Sequence, residues 1–128
     1  RRFDQAIKVY NKALEIKPDY VYIYHVLGNI YYEQGMLDLA QKQYTEVIRF
    51  TPDDPVAHNS LGAILLRQGA FDGAIAQFQN ALFLKSNYTN AKHNLDIAFT
   101  RKRELAQQIA EDVKPINLES GQQYPSFH

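Results

Sequence analysis

Three of the four histidines, one short basic run and a set of asparagines and tyrosines are the residues of this chain with chemistry to offer. His25, His58 and His93 carry imidazole nitrogens of the kind that bind zinc or exchange protons near neutral pH. A zinc ion holds its ligands at about 2 Å. Each of these histidines is separated from the next by enough chain for two helices. They read as surface or packed histidines, and no metal or other cofactor is expected.

Arg101-Lys102-Arg103 is the one basic run, and Glu104, Glu111 and Asp112 follow it closely. That pattern describes a solvated helix face better than a phosphate site. Lys plus Arg number 14 and Asp plus Glu 14, with a pI near 7.1, so the electrostatic footprint of a nucleic-acid binder is missing. The absence of cysteine excludes disulfide scaffolds, thiolate metal sites and cysteine nucleophiles. No phosphate-cradling glycine loop, nucleophile elbow or zinc-protease motif is present. The chain therefore reads as a binding protein and not an enzyme.

No apolar run approaches the length that spans a bilayer, and Arg1, Arg2, Phe3 and Asp4 do not open a signal peptide. The expectation is a soluble chain without membrane insertion; its compartment stays open, with the cytoplasm as default. It begins without Met and halfway through a structural unit, so it reads as a fragment of something longer.

What must position the asparagines, histidines and tyrosines is a repeat. Offset by 34 residues, the sequence falls on itself: Phe3, Leu37 and Phe71; Asp4, Asp38 and Asp72; Ala6, Ala40 and Ala74; Tyr10, Tyr44 and Phe78; Leu27, Leu61 and Leu95. The same offset pairs Gly28 with Gly62, Gly35 with Gly69 and Pro18 with Pro52.

Within each unit apolar residues recur at helical spacing, as in Tyr24, Leu27 and Tyr31, then Leu37, Ala40, Tyr44, Val47 and Ile48. Each unit is thus two amphipathic helices. Gly35 and Gly69 stand where the first helix stops, and Asp38 and Asp72 lie in the first turn of the second. Asp19, Asp53 and Asn87 are expected to cap the following first helices, with Pro55 in a first turn. Gly28 should face Ala40, and Gly62 Ala74, so that the helices of a hairpin approach closely with Tyr44 or Phe78 on the flank.

Tyr24, Leu27, Gly28, Tyr31, Ala40, Tyr44 and Pro52, at this fixed spacing, resemble the signature of the tetratricopeptide repeat family. The next unit keeps Leu61, Gly62, Ala74, Phe78 and Ala81, with His58 in place of an aromatic and Ser86 in place of the terminal proline. The resemblance implies an all-α fold: tandem helix-turn-helix units wound into a right-handed superhelix. A TPR-like array is expected over 1–113, made of a half repeat (1–20), two repeats (21–54 and 55–88) and a long C-terminal capping helix (89–113). Asp96 replaces the close-approach glycine in that last segment, and Ala91, Leu95, Ala98, Phe99, Leu105, Ile109 and Val113 keep helical spacing. Residues 114–128, with Pro115, Gly121 and Pro125, read as a flexible tail.

The resemblance further implies that first helices line a concave groove where partners bind. The side chains of these helices outside the packed stripe are Tyr22, His25, Asn29, Tyr32 and Glu33; then Val56, Asn59, Ala63 and Arg67; then Asn90, His93, Asn94, Ile97 and Arg101. Asparagine, histidine and tyrosine on one face can hydrogen-bond the backbone of an extended peptide and cover its apolar side chains.

Some family members hold the acidic tail of heat-shock chaperones with a clamp of Lys, Asn and Arg. Only Asn29 matches a clamp position here; the others read His25, Ser60, Asn90 and Asn94, so the cations are missing. The asparagine ladder of repeat arrays attached to sugar transferases reads Val26, Ser60 and Asn94, a single rung.

The function expected is capture of a partner peptide or protein segment in the groove, as adaptor or scaffold of a larger assembly. Alternatives are a scaffold that self-assembles through the unpaired opening helix (Phe3, Ile7, Tyr10, Leu14), giving a homo-oligomer, and a substrate-presenting arm of a larger enzyme. Tyr124, Pro125 and Phe127 of the tail are further candidates to occupy the groove.

Overall fold

The computed structural model describes residues 2–120. Among them the chain forms α1 (Arg2–Ile16), α2 (Val21–Glu33), α3 (Leu37–Phe50), α4 (Pro55–Arg67), α5 (Phe71–Leu84) and α6 (Thr89–Ser120), and no strand. Helices adjacent in the chain pack on one another: α2 on α3 and α4 on α5 as hairpins, with α3 on α4 and α5 on α6 joining the hairpins into an array. α4 also touches α6 directly, so successive first helices lie side by side. No helix among the described residues is long and apolar enough to cross a membrane.

The stops between the helices of a hairpin are glycines in the left-handed region. Gly35 has φ 75° and Gly69 φ 77°, where a Cβ would be strained. The reversal is closed by Met36 N–H donating to Tyr31 O at 2.9 Å and by Ala70 N–H donating to Leu65 O at 2.9 Å.

The starts of the first helices fall one residue later than expected. Asp54, not Asp53, caps α4, its carboxylate accepting from Val56 N–H at 2.9 Å and Ala57 N–H at 3.3 Å. Pro55 is the cause: it takes the first helical position, where its missing N–H costs nothing, and leaves the cap to the residue before it. α2 begins after Tyr20, which makes no side-chain cap bond, and α6 begins at Thr89, past a start capped by Asn87.

The close-approach glycines make room for a ring more than for a second backbone. A Cβ on Gly28 would lie 2.6 Å from Tyr44 Cε2, and one on Gly62 would lie 2.5 Å from Phe78 Cε1. Tyr44 and Phe78 are accordingly buried across their hairpins, beside Ala40 and Ala74, which are fully buried. Leu27, Val47, Ala57 and Ile64 complete the core between the units. Burial of a leucine of this kind contributes about 1.5–3 kcal/mol.

The units are also tied along one edge. Gln68 Nε2 donates to Asp38 Oδ1 at 3.2 Å, and Lys102 Nζ donates to Asp72 Oδ1 at 2.6 Å. These are the same two repeat positions, so the first-turn aspartates of α3 and α5 receive the next unit as well as facing their own helix amides.

α6 differs from the expected capping helix at its far end. It does not stop at 113 but runs to Ser120, through Pro115. A proline inside a helix removes one donor and crowds the preceding turn. Residues 111–116 are exposed, so water can reach the carbonyl left without a donor. The buried stripe of Ala91 and Ala98 continues along α6 as Leu105, Ile109 and Val113, which are 48%, 53% and 43% exposed. On the opposite end, α1 has no buried residue. Residues 121–128, and with them the groove-docking idea for Tyr124, Pro125 and Phe127, lie outside the described residues.

Candidate functional site

Between α2 and α4 the first-helix face opens into a cleft of about 140 Å³, lined by Asn29, Tyr32, Tyr44, Asn59, Ser60 and Ala63. Asn29 and Tyr32 come from α2, and Asn59, Ser60 and Ala63 from α4. Tyr44 reaches the cleft from α3, behind the first helices, because Gly28 leaves its ring a path.

The Tyr44 hydroxyl donates a hydrogen bond to Asn29 Oδ1. Burial pushes the Tyr44 phenol above its ordinary pKa of 10.0; the Ser60 hydroxyl, hydrogen-bonded to it, opposes that shift, and the Asp54 carboxylate adds to it. The phenol is therefore a neutral donor at all physiological pH values.

His25 stands over the same ring, edge-on at 5.8 Å between centroids, and its Nε2 lies 2.9 Å from Asp54 Oδ2. It thus braces α2 against the start of α4, half-buried, with one ring nitrogen already committed. The equivalent tie one unit later is Asn59 Nδ2 donating to the Tyr88 hydroxyl at 3.4 Å, while Asn59 Oδ1 accepts from Asn94 Nδ2 at 3.1 Å. Asn59 and Asn94 join α4 to α6 across the face.

Arg67 lies with its guanidinium carbon 4.8 Å from the Tyr32 ring centroid, and its Nη1 donates to the Tyr32 carbonyl at 3.3 Å. Tyr22, Glu33, Val56, Asn90, His93 and Arg101 are exposed on the first helices, and Ala63 and Ile97 are half-buried. The structure thus brings Asn29, Tyr32 and Asn59 to one cleft, makes His25, Asn59 and Asn94 inter-helix ties, and leaves Asn90, His93 and Arg101 at the α6 end.

Sequence reasoning missed Tyr44 and Asp54 as parts of this face, and named Ser60 only as the residue at a clamp and ladder position. Tyr44 was assigned wholly to packing, although the repeat carries a signal: where Tyr44 becomes Phe78, Asn29 becomes Ala63. His58, by contrast, is 8% exposed and points away from the face, its Nε2 2.8 Å from Pro52 O and its Nδ1 2.7 Å from Gln77 Oε1.

A family model described as TPR repeat matches residues 2–35 and 28–69. Comparison with curated proteins gave no match. Among solved structures, MamA is similar with a TM-score of 0.76 and 25% identity over 93% of this chain and 70% of that one. The TPR2B domain of yeast Sti1, in its complex with pHsp70, gives 0.64 and 25% over 68% of this chain and 70% of that one. An O-GlcNAc transferase of Thermobaculum terrenum gives 0.66 and 27%, over 71% of this chain but 18% of the enzyme. With the 34-residue register, the paired glycines and the stacked hairpins, these matches identify the chain as a member of the tetratricopeptide repeat family, whose repeats serve as protein–protein interaction modules.

Proposed function

We propose that the first-helix face binds an extended segment of a partner polypeptide, and that the chain acts as an adaptor or scaffold in a larger assembly. The observation that carries this reading is the cleft between α2 and α4, which offers amide and hydroxyl groups and no formal charge in its lining. An extended peptide presents an N–H and a C=O at each residue, and such a surface answers both. Tyr22 and Val56, 63% and 48% exposed on the same helices, add apolar area for side chains. The Sti1 domain, similar to this chain and found in complex with pHsp70, supports a polypeptide as the class of partner. Acidic-tail capture is not part of the proposal, because the clamp cations are replaced.

The test is to immobilise the protein beside a triple variant, Asn29→Ala, Asn59→Ala and His93→Ala, matched for helix content by circular dichroism. Partners retained from native extract are identified by mass spectrometry. Retention by the parent alone supports the groove; equal retention by both removes binding from this face.

A further inference from the structure

The first helix of each hairpin keeps one side for its second helix. α3 covers that side of α2, and α5 that of α4, so Leu27 and Leu61 are buried and Tyr31 and Leu65 pack into the core. By register α6 is also a first helix, but it does not turn back. Arg103 stands at the position of Gly35 and Gly69, and the helix runs straight on. At the repeat positions of Leu61 and Leu65, Leu95 is only half-buried and Phe99 is 44% exposed. Past Arg103 the helix carries Leu105, Ile109, Val113 and Ile116, all exposed. One straight helix thus joins a first half without its cover to a second half whose apolar stripe is open.

We propose that this face of α6 is the docking site of a second copy of the chain. The two α6 helices pack antiparallel, as the helices of a hairpin do, and the second half of each covers the first half of the other. This contact is independent of the groove reading.

Three observations support a second copy as the occupant. The first is charge. Residues 89–103 carry four basic groups (Lys92, Arg101, Lys102, Arg103) and one acidic (Asp96), whereas residues 104–116 carry three acidic groups (Glu104, Glu111, Asp112) and one basic (Lys114). Antiparallel packing sets the basic half beside the acidic half twice over; parallel packing sets like on like.

The second is shape. α3 and α5 press the rings of Tyr44 and Phe78 against Gly28 and Gly62. α6 carries Asp96 at that repeat position, so the helix that covers it must bring no ring there, and residues 103–116 contain no aromatic side chain. The third is spacing. Phe99, Ala106 and Val113 recur every seven residues and lie along one line of the helix. With a two-fold axis at Ala106, the small side chains meet where the helices cross, and Phe99 meets Val113 of the other copy. Such a contact uses the same patch on both copies and closes on itself. An interface of two helices falls in the small class, under about 1,200 Å² in total, so the dimer forms as concentration rises.

The experiment is sedimentation velocity on the whole chain between about 10 μM and about 1 mM. The parent is expected to pass from monomer to dimer over this range. Val113→Lys, at an exposed position, is expected to weaken the dimer about tenfold or more by placing an ammonium in an apolar contact. The chain has no cysteine, so introduced ones report the direction of packing. Phe99→Cys and Val113→Cys proteins, mixed and oxidised, are expected to cross-link to each other in preference to themselves.

A chain that stays monomeric throughout the range overturns the proposal. So does a dimer that Val113→Lys leaves intact, or one that Val9→Lys on the exposed side of α1 dissociates instead. Self cross-linking of either cysteine variant in preference to the mixed pair overturns it as well, because that is the mark of parallel helices.

Discussion

His58 donates through Nε2 to the main-chain carbonyl of Pro52 at 2.8 Å, and in doing so it takes the place of a tyrosine. One unit earlier Tyr24 donates its hydroxyl to the Pro18 carbonyl at 2.6 Å, and both pairs occupy the same repeat positions. A carbonyl only accepts, so His58 carries a proton on Nε2, and its Nδ1, 2.7 Å from the end of the Gln77 side chain, accepts once that amide turns its NH2 group toward the ring. What the two units share at this position is the hydrogen bond that holds the end of one unit onto the next, made by a phenol in one and an imidazole in the other.

That relationship predicts the outcome of two substitutions. His58→Phe fills the space but leaves the Pro52 carbonyl and Gln77 without their partner, and should cost about 1–3 kcal/mol. His58→Tyr restores the bond to Pro52, as at Tyr24, and should recover most of that loss. Urea unfolding of the three proteins measures it; equal midpoints for the Phe and Tyr variants would show the bond to be dispensable.

Gly28 and Gly73 should respond in opposite directions to alanine. At Gly28 the added methyl would sit 2.6 Å from the Tyr44 ring, so the ring must shift from its packed position, and the overpacking should cost about 1–3 kcal/mol. At Gly73 the nearest atom is Leu65 Cδ1 at 3.4 Å, the end of a flexible side chain. There the gain in helix propensity, about 0.5–1 kcal/mol, should prevail. Thermal unfolding distinguishes them, with Tm falling for Gly28→Ala and rising for Gly73→Ala.

The raised pKa of Tyr44 sets an alkaline limit on stability. Its folded-state pKa lies above the ordinary 10.0, so the stabilisation it reports is fully present below pH 10.0 and is lost as pH rises through the folded value. Tm should therefore fall above about pH 10 more steeply in the parent than in Tyr44→Phe. Parallel Tm profiles in the two proteins would contradict this assignment.

The array was legible because its packing is local and periodic. Leu27, Ala40, Tyr44 and their counterparts at a 34-residue offset state both the helices and their pairing, and Gly35 and Gly69 state the reversals. The site was less legible, because it depends on contacts between units that no single period encodes. His25 reads as a free groove residue until Asp54, far along the chain, is seen at 2.9 Å. Asn59 and Asn94 read as separate groove side chains until their amides are seen to bind each other. The start of α4 falls one residue past the expected one because Asp53 and Asp54 are equally good caps by type, and only the position of Pro55 separates them.

Asp54 serves two purposes that two substitutions can separate. Its Oδ1 caps α4 through Val56 and Ala57, and its Oδ2 meets His25. Asp54→Ala removes both and should cost about 1–2 kcal/mol. Asp54→Asn keeps an oxygen for the cap but replaces the carboxylate beside His25 with an amide, and should cost less than half as much. If the two variants lose equal stability in urea, the contact with His25 outweighs the cap.

α6 continues beyond the array. Helix around Pro115 persists although the proline removes a backbone donor, and the residues on either side are exposed. Pro115→Ala restores that donor and removes a local penalty of about 3 kcal/mol. Because residues 111–116 contribute no buried side chain, the gain should stay local. Hydrogen exchange should slow for amides near 115, while global Tm changes by less than about 1 °C, as expected for a site uncoupled from the core. A Tm rise of several degrees would mean that this end of α6 unfolds together with the stacked hairpins, and that its continued apolar face is part of one cooperative unit.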